Sequence, residues 1–465
     1  MPPDSVRAPK APGITIVTIA LMLMSVLGAA CALEAQSIRG APVRHDSALA
    51  VATVDSAWSR INRSYYDSTF KGIDWPALRV ELRRRAGGAR SMAEVRVIIE
   101  SMFARLGESH FALIPSDMAA GWDDSLPPVP DDAFGEAGLE FRLLDGTVVV
   151  SRVRQGSAAS DAGVGLGWEV EQVVETDVSA LVHETAALPA GTSRRMAEVR
   201  LPLSLMARTY GAAGDSLALT FRSAEGQRVL VSVVLRAADA EVVRFGHLPP
   251  QMVRFESQRL ADAQGCVGVV RFNVWMLPVM ARIDDAMREL RGCRGIVLDL
   301  RGNVGGVAAM VMGVAGYFVD STGSLGTLRS RAATLRYVTS PRRSDRHGRP
   351  LDPFAGPLAI LVDELSASTS EIFAAGLQEM GRARLFGERT AGQALPAMLS
   401  QLPNGDVMEH VVADFTSPAG RRLEASGVVP DERIPLERGN LRAGRDGALL
   451  AARRWIDAEW GRKSR

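Results

Sequence analysis

The sequence predicts an α/β protein that also carries a β-rich module. Two apolar runs, at 295–300 and 358–362, are typical of buried strands, and each leads through small residues into a stretch with helical spacing of apolar residues. Alternating strands around Asp145-Gly146 and around Glu225-Gly226 indicate hairpins. The second half of the chain is therefore predicted to be α/β, with a β-rich unit before it.

The N-terminal part of the chain is predicted to be helical. Apolar residues recur at helical spacing from 49, from 75 and from 92, and the last of these helices ends at Gly107. A Pro/Asp-rich stretch at 123–132 is typical of a linker. The predicted units are a signal peptide or anchor, a helical region, a β-rich domain, an α/β core and a helical tail, at 1–35, 46–122, 133–237, 248–438 and 439–465.

Composition and charge indicate a globular protein without a nucleic-acid partner. The chain has 465 residues, enough for two or three domains, with 47% hydrophobic and 23% charged residues. The formal net charge is only +1, and no long basic run is present. A nucleic-acid-binding protein usually carries a clear positive excess, so this class is not favoured.

The N-terminus has the layout of an export signal. Arg7 and Lys10 precede an apolar run at 13–30 that ends in small residues, and Ala30-Cys31-Ala32 offers a cleavage site. Two alternatives stay open, a retained membrane anchor at 13–30 and a lipid attached to Cys31. Under each of them the body of the protein is exported and lies in the periplasm or outside the cell.

The remaining cysteines and the histidines predict neither a metal nor another cofactor. Cys266 and Cys293 each stand just before an apolar strand, and the histidines are scattered without ligand spacing. The two cysteines are expected to be either buried free thiols or one disulfide, which an oxidising compartment permits.

The stretch from 357 to 393 is where chemistry is expected. A predicted strand is followed by hydroxyl residues and by a helix start, which places a side chain beside the positive end of a helix dipole. Ser366, Ser368 and Ser370 are candidate nucleophiles. Ser368 and Glu371 also fit a capping box, so a purely structural serine is the alternative.

A serine nucleophile needs a base, and lysine is absent from this part of the chain. Lysine occurs only at positions 10, 71 and 463, so no Ser–Lys pair forms inside the α/β core. His110, just past a predicted helix end, is a candidate base, although such a histidine is often a surface or cap residue. His410 is the alternative base, although a place on the outer face of a hairpin is the more expected one for it. Glu424, in the stretch 418–431, is expected to be exposed. Neither a GxSxG nor an HExxH motif is present, so a lipase-type hydrolase or a zinc peptidase is not supported.

The glycine loop at 302–306 follows the strand at 295–300. It lacks the residues of a phosphate-binding loop. Such a loop is often just a tight turn, but its backbone N–H groups are also suited to an oxyanion.

Several motifs occur together in a characteristic order along 50–435. They are Asp74-Trp75, the LGESH sequence at 106–110, the β-rich module, the GIVLDLRGNVGG sequence at 295–306, the stretch at 363–379, GERTAG at 387–392 and GVVPD at 427–431. In this order they resemble the C-terminal processing (tail-specific) serine peptidase superfamily. The β-rich module resembles a PDZ domain, with Gly138, Leu139, Glu140 and Phe141 at the place of its peptide-binding loop. It departs from that pattern after Gly167 and through an insert near 180–213.

The resemblance favours one branch of the superfamily. In the best-known branch a lysine follows the nucleophile, and here Gln393 takes its place. The chain is more similar to the branch of the tricorn core and the retinoid-binding-protein-like relatives. This resemblance implies Ser368 as nucleophile, His110 as base, Glu424 as the carboxylate that orients it and Ser109 as an assisting residue. It implies an oxyanion hole from the N–H of Thr369 with that of Gly305 or Gly306.

The resemblance also implies the fold and the reaction. The core is expected to be a crotonase/ClpP-like ββα superhelix, and the substrate an unstructured peptide or protein tail, cleaved by an exported serine endopeptidase through an acyl-enzyme. Because the lysine is missing, the alternative is a catalytically silent member that binds a peptide or a hydrophobic ligand. A PDZ scaffold with a structural α/β partner is a third hypothesis.

Overall fold

The computed structural model describes residues 46–116, 133–243 and 251–463. The predicted signal or anchor at 1–35 and the predicted linker at 123–132 lie outside these residues. Among the described residues, no helix combines the length and the hydropathy that crossing a membrane requires.

The predicted N-terminal helices are confirmed. They are α1 (Ser47–Ser64), α2 (Trp75–Gly87) and α3 (Met92–Leu106). Side-chain oxygens of Asp46, Asp74 and Ser91 cap their first turns. Gly107 ends α3 in the left-handed conformation, with φ of 63°. The chain then turns sharply and enters the short strand β1 (Ala112–Ile114).

The β-rich module is built on a main antiparallel sheet, a smaller three-stranded sheet and three helices. Its hairpins form at the predicted Asp-Gly and Glu-Gly turns. Its main sheet has the strand order β3-β4-β5-β8-β9. The strands are β2 (Phe134–Glu136), β3 (Leu139–Leu144), β4 (Thr147–Val153), β5 (Glu169–Val173), β6 (Thr176–Asp177), β7 (Tyr210–Ala212), β8 (Ser216–Arg222), β9 (Arg228–Val234) and β10 (Arg236–Ala237). The helices are α4 (Ala158–Asp161), α5 (Val178–Ala187) and α6 (Thr192–Ala207).

The C-terminal half is an α/β unit, as predicted. Its strands are β11 (Glu241–Val243), β12 (Gln251–Val253), β13 (Phe255–Asp262), β14 (Gly265–Phe272), β15 (Gly295–Asp299), β16 (Ser324–Ser330), β17 (Thr334–Val338), β18 (Leu358–Val362), β19 (Arg384–Gly387), β20 (Ala397–Gln401), β21 (Val407–Val411), β22 (Ala413–Thr416) and β23 (Glu432–Arg433). Its helices are α7 (Leu277–Leu290), α8 (Met310–Ala315), α9 (Thr369–Glu379), α10 (Arg438–Arg442) and α11 (Gly447–Lys463).

The central sheet of this unit places the functional loops at one edge. Its order is β13-β14-β15-β18-β19-β23, and β14, β15, β18, β19 and β23 run parallel. Fully buried residues of these strands, such as Val297 and Leu361, pack on Ile456 of α11. Leu298 and Ile360 belong to the cluster on the other face. Because β15 and β18 are parallel neighbours, the loops that follow them meet at the same edge of the sheet.

A small sheet joins the helical region to the α/β unit. Strand β21 lies between β1 and β20, and the pairing of β1 with β21 sets Ala112 opposite Glu409. This sheet brings residues 109–110, which directly precede β1, against the C-terminal half of the chain.

The two cysteines form a disulfide. Cys266 lies in β14 and Cys293 follows α7, with 4.7 Å between their Cα atoms. Of the two open alternatives, the disulfide is the one that the structure contains.

Candidate active site

Ser368 lies at the start of α9, at the carboxyl end of β18. Its φ of 58° and ψ of −114° are unusual for a residue with a side chain. Such a conformation is strained and is typical of functional positions. The Ser368 side chain is fully buried, and its Oγ has no hydrogen-bond partner among the described residues. The capping box that the sequence allowed is present through the Glu371 side chain, which accepts from the N–H of Ser368, whereas the Ser368 hydroxyl makes no capping hydrogen bond.

The two alternative serines are already engaged in structural hydrogen bonds. Ser366 Oγ donates to the carbonyl of Leu300 at 2.8 Å. Ser370 Oγ donates to the carbonyl of Asn303 at 3.0 Å and accepts from the indole of Trp275 at 2.9 Å. Both serines fasten the glycine loop to the start of α9. Of the three candidate nucleophiles, only Ser368 has a hydroxyl without a partner in the described part of the chain.

A buried carboxylate holds the backbone around Ser368. Glu371 Oε2 accepts from the N–H of Ser368 at 3.0 Å and from that of Gln393 at 2.9 Å. Its other oxygen accepts from Thr390 Oγ1 and from the N–H of Gly392 at 2.8 Å. Burial raises the pKa of Glu371, and these four donors oppose that shift. The sequence indicated only half of this role, the capping of Ser368.

The glycine loop packs directly against Ser368. A Cβ on Gly305 would lie 2.8 Å from Ser368 Cβ and 3.2 Å from its Oγ, and Gly305 has a φ of +105°. A Cβ on Gly306 would lie 2.3 Å from the carbonyl oxygen of Trp275. Only glycine permits this approach.

The loop also narrows the choice of oxyanion donors. The N–H of Gly305 donates to Asn303 Oδ1 at 3.0 Å, so it is already used within the loop. Within the described ranges, neither the N–H of Gly306 nor that of Thr369 has an acceptor. Thr369 Oγ1 donates to the carbonyl of Gly306 at 2.9 Å and so ties the two segments together. Gly305 instead provides the space that Ser368 needs.

The structure brings the predicted base and carboxylate together through a serine. Ser109 Oγ contacts His110 Nδ1 at 2.5 Å and donates to Glu424 Oε2 at 2.9 Å. The N–H of Ser109 donates to Glu424 Oε1 at 2.9 Å. The Ser109 hydroxyl uses its only hydrogen in the hydrogen bond to Glu424, so it can only accept from His110. The imidazole therefore carries its hydrogen on Nδ1 and donates from there, which leaves Nε2 as the acceptor nitrogen. Glu424 therefore acts on His110 through Ser109 and not by direct contact.

His110 and Glu424 are more buried than their sequence positions predicted. His110 and Glu424 are each only 5% exposed, whereas local sequence features suggested a surface or cap histidine and an exposed glutamate. Burial, with the nearby Arg200 as a smaller contribution, lowers the pKa of His110 to about 3. Burial raises the pKa of Glu424 to about 7, against the hydrogen bonds from Ser109 and Ala394. The imidazole is thus neutral, and Glu424 titrates near neutral pH.

The alternative base lies elsewhere. His410, in β21, is buried between α1 and β20 and not on an outer face. Its Nδ1 contacts Ser64 Oγ and its Nε2 contacts Ser400 Oγ, both at 3.1 Å. Both ring nitrogens are therefore engaged away from Ser368, and His410 has no nitrogen left for a nucleophile.

Helix α6 of the β-rich module covers the site. Val199, Leu203 and Met206 of α6 pack on Leu365 and Ala367, which directly precede Ser368, and on Ala391. Arg195 adds a hydrogen bond to the carbonyl of Ala391 at 3.0 Å. No sequence signal pointed to this contact, because helical periodicity does not say which partner a helix face meets.

The predicted peptide-binding loop lies on the same side. A Cβ on Gly138 would lie 2.2 Å from Ser157 Cβ, so the loop needs glycine there. Phe141 is fully buried in the module, and Glu140 forms an ion pair with Arg271 of the α/β unit at 2.8 Å. Leu139 lines a cavity of about 690 Å³.

This cavity connects the module with the catalytic loop. Leu203 and Met206 of α6 line it from the module, and Phe272, Gly302 and Val304 line it from the α/β unit. It is therefore a space between the strand β3, the helix α6 and the loop that contacts Ser368. No group of residues suited to hold a metal ion occurs within 46–116, 133–243 and 251–463.

Comparisons with known proteins indicate the class of enzyme to which this fold belongs. Residues 266–434 match the model of peptidase family S41, and residues 55–104 match that of the tricorn protease C1 domain. The chain is 26% identical over 385 residues to a carboxyl-terminal-processing protease of Picosynechococcus sp., and the matched region covers 82% of each protein. It is 28% identical over 396 residues to a chloroplastic C-terminal processing peptidase of Tetradesmus obliquus, covering 82% of this chain and 76% of the relative.

Solved structures show the same fold. The photosystem II D1 C-terminal processing protease matches with a TM-score of 0.57 and 23% identity, covering 86% of this chain and 98% of that one. Mature CPAF in complex with lactacystin matches with a TM-score of 0.57 and 15% identity, covering 88% and 98%. These matches support the C-terminal processing peptidase family for this chain and indicate a serine-type peptidase.

Proposed function

We propose that this protein is an exported serine endopeptidase that cleaves unstructured peptides or protein tails through an acyl-enzyme at Ser368. The observation that carries the proposal is the buried relay from Glu424 through Ser109 to His110. This relay fixes the imidazole with Nε2 as acceptor. An unpartnered buried serine hydroxyl beside unused backbone N–H groups completes the set of groups that acyl transfer requires.

In the reaction, Ser368 Oγ attacks the scissile carbonyl carbon and its proton passes to His110 Nε2. The N–H groups of Thr369 and Gly306 stabilise the oxyanion. The tetrahedral intermediate collapses when His110 gives the proton to the leaving amine, and the C–N bond breaks. Water then repeats the sequence on the ester, with His110 taking its proton and returning it to Ser368 Oγ. Glu424, through Ser109, stabilises the imidazolium in both halves.

Substrate access involves the β-rich module. Ser368 is fully buried, and α6 lies over the residues before it, so a peptide reaches the nucleophile only when α6 moves. The PDZ-like assignment of the module at 133–237 is supported by the arrangement of β3 beside α6 with a cavity between them. In this assignment Gly138, Leu139, Glu140 and Phe141 form the loop where the substrate peptide enters.

The finer architecture and the location are part of the same proposal. Parallel strands with helices packed on both faces are consistent with a crotonase/ClpP-like core at 248–438. The disulfide between Cys266 and Cys293 supports export, because disulfides persist in oxidising compartments. The helical region at 46–122 supplies the base, and the tail at 439–465 covers one face of the sheet.

Hydrolysis of an unfolded, carboxymethylated protein by the purified full chain tests the proposal. We expect cleavage by the wild type, and loss of at least about 10³-fold in Ser368→Ala and His110→Ala with folding retained. An active-site serine reagent should label the wild type at Ser368. Activity that survives in His110→Ala would refute the assignment of the base. A wild type that binds peptides but neither cleaves nor reacts would instead favour the catalytically silent binding protein.

A further inference from the structure

The side chain of Gln393 has no partner although it is buried in the site. It is only 6% exposed, and its Nε2 makes no hydrogen bond to any described residue. A buried amide nitrogen without an acceptor destabilises the fold, and folded proteins seldom keep one without a function. Gln393 takes no part in the steps described so far, which use only its neighbours.

The backbone of Gln393 joins the two halves of the catalytic site. Its N–H donates to Glu371 Oε2, the oxygen that also holds the N–H of Ser368. The N–H of the next residue, Ala394, donates at 3.0 Å to Glu424 Oε2, the oxygen that holds the hydroxyl of Ser109. The main chain from the N–H of Gln393 to the N–H of Ala394 thus links Glu371, which holds the backbone of the nucleophile, to Glu424, which holds the serine beside the base.

This position is held rigidly. Gly392 has a φ of +73°, and a Cβ there would lie 3.1 Å from the backbone of Ala425 and of Gly427. The N–H of Ala425 donates to the carbonyl of Gly392 at 2.8 Å. The main chain from which the Gln393 side chain starts is therefore fixed by packing and hydrogen bonds.

Ser368 Oγ is a second buried atom without a partner at the same site. An extended peptide that places its scissile carbonyl on Ser368 brings further carbonyl oxygens beside that bond. Such an oxygen is the natural acceptor for an amide N–H that has none in the free enzyme. A carboxamide is neutral, so it binds a peptide carbonyl without disturbing the charge of Glu424.

We propose that Gln393 is a substrate-binding residue whose carboxamide nitrogen donates a hydrogen bond to a backbone carbonyl oxygen of the peptide bound at Ser368. This inference rests on the proposed function, because it concerns the substrate of the same site. It adds to that function a hydrogen bond to the peptide backbone, which does not depend on the side chains of the substrate. Such a contact suits an enzyme that cleaves unstructured segments.

Gln393→Met gives the sharpest test, because methionine keeps the length of the side chain and removes its hydrogen-bonding groups. We expect kcat/KM on a fluorogenic peptide to fall about 10- to 100-fold. The urea midpoint of unfolding should stay equal or rise, because the variant removes an unpaired buried amide. The rate of labelling by a small sulfonyl fluoride, which offers no peptide carbonyl, should stay within about 2-fold of the wild type.

Gln378→Met is the matched control, since Gln378 lies on α9 and its Nε2 already donates to the carbonyl of Val429 at 3.0 Å. This variant should keep its peptidase activity. Unchanged peptide hydrolysis in Gln393→Met would overturn the inference, and so would a joint fall in activity, stability and labelling, which would mark a structural role. Absence of hydrolysis in the wild type would overturn the proposed function itself, which is a different result.

Discussion

Replacing Glu424 by glutamine separates the catalytic role of this carboxylate from its cost to stability. Burial raises its pKa from 4.5 to about 7, although Ser109 and Ala394 donate hydrogen bonds to it. The folded protein therefore keeps a proton on Glu424 that the unfolded chain releases. The stabilisation that belongs to this proton is complete below pH 4.5 and is lost as the pH rises to about 7 and beyond.

The size of the effect follows from the two pKa values. Each unit of difference corresponds to about 1.4 kcal/mol, so between pH 5 and pH 8 the wild type loses on the order of 2–3 kcal/mol through this group. Glu424→Gln has no proton to lose, so its free energy of unfolding should change by that much less over the same range. Hydrogen bonds that the variant loses or gains change its free energy of unfolding equally at both pH values. They therefore cancel in the difference between pH 5 and pH 8.

Activity should change in the opposite direction. Ionised Glu424 is the acceptor for Ser109, so kcat/KM of the wild type should rise with pH through about 7 and then level off. His110 does not produce this rise, because its pKa is lowered to about 3 and the imidazole is neutral throughout. In Glu424→Gln we expect the rise to disappear and the activity to fall about 10²–10⁴-fold.

Urea unfolding and peptide hydrolysis, each measured from pH 5 to pH 8, check both effects. Glu409→Gln is the matched control, because burial raises the pKa of Glu409 to about 7 as well, against the attraction of Arg200, while among the described residues Glu409 makes no hydrogen bond to Ser109, His110 or Glu424. The control should show the same effect on stability and keep its activity. If stability depends on pH equally in Glu424→Gln and in the wild type, or if the activity rise near pH 7 persists in this variant, the argument is wrong.

Three further changes test other parts of the site. Ser109→Ala removes the hydroxyl between Glu424 and His110 and should lower kcat about 10²–10⁴-fold, whereas Ser64→Ala, which removes the equivalent contact of His410, should leave peptide hydrolysis unchanged. Gly305→Ala should lower both kcat and the thermal midpoint, because the added Cβ meets Ser368. Gly214→Ala has a similar φ of +95° and open space, and should affect stability alone. Glu371→Gln leaves at least one of four donors unpaired; we expect a loss of about 1–3 kcal/mol in unfolding free energy and slower labelling of Ser368, and unchanged labelling would contradict the role given to Glu371.

Much of the fold was predictable because its signals are local. The strand at 358–362, the N-terminal helices and the hairpins at Asp145-Gly146 and Glu225-Gly226 all follow from periodicity and turn residues that act within a few positions. One helix is shorter than predicted. The apolar stretch that follows the glycine loop forms only α8 (Met310–Ala315), because nearly all of its residues are apolar and therefore do not mark where a helix begins or ends.

The candidate site residues could be named from the sequence, but their geometry could not. Ser368, Ser109, His110 and Glu424 came from ordered motifs, but the contact of Glu424 with Ser109 spans 315 positions and depends on tertiary packing. The same limit applies to Glu424 and His410, which were expected to be exposed and are buried. A residue in a loop or hairpin gives no local sign of the element that will cover it.

The base precedes the β-rich module in the chain and the nucleophile follows it. Both are therefore held by parts of the chain other than the module whose helix α6 lies over the site. Ser109 and His110 are held by the pairing of β1 with β21 and by Glu424, all outside the module. Ser368 is held by Glu371 and by the glycine loop, also outside it. Helix α6 therefore lies over a site whose reacting groups take their hydrogen bonds from elsewhere, although the charge of Arg200 on this helix helps to lower the pKa of His110. Under the proposed function, displacement of α6 would admit a peptide while the relay and the glycine loop keep their hydrogen bonds, so opening and chemistry are expected to be separate properties of this fold.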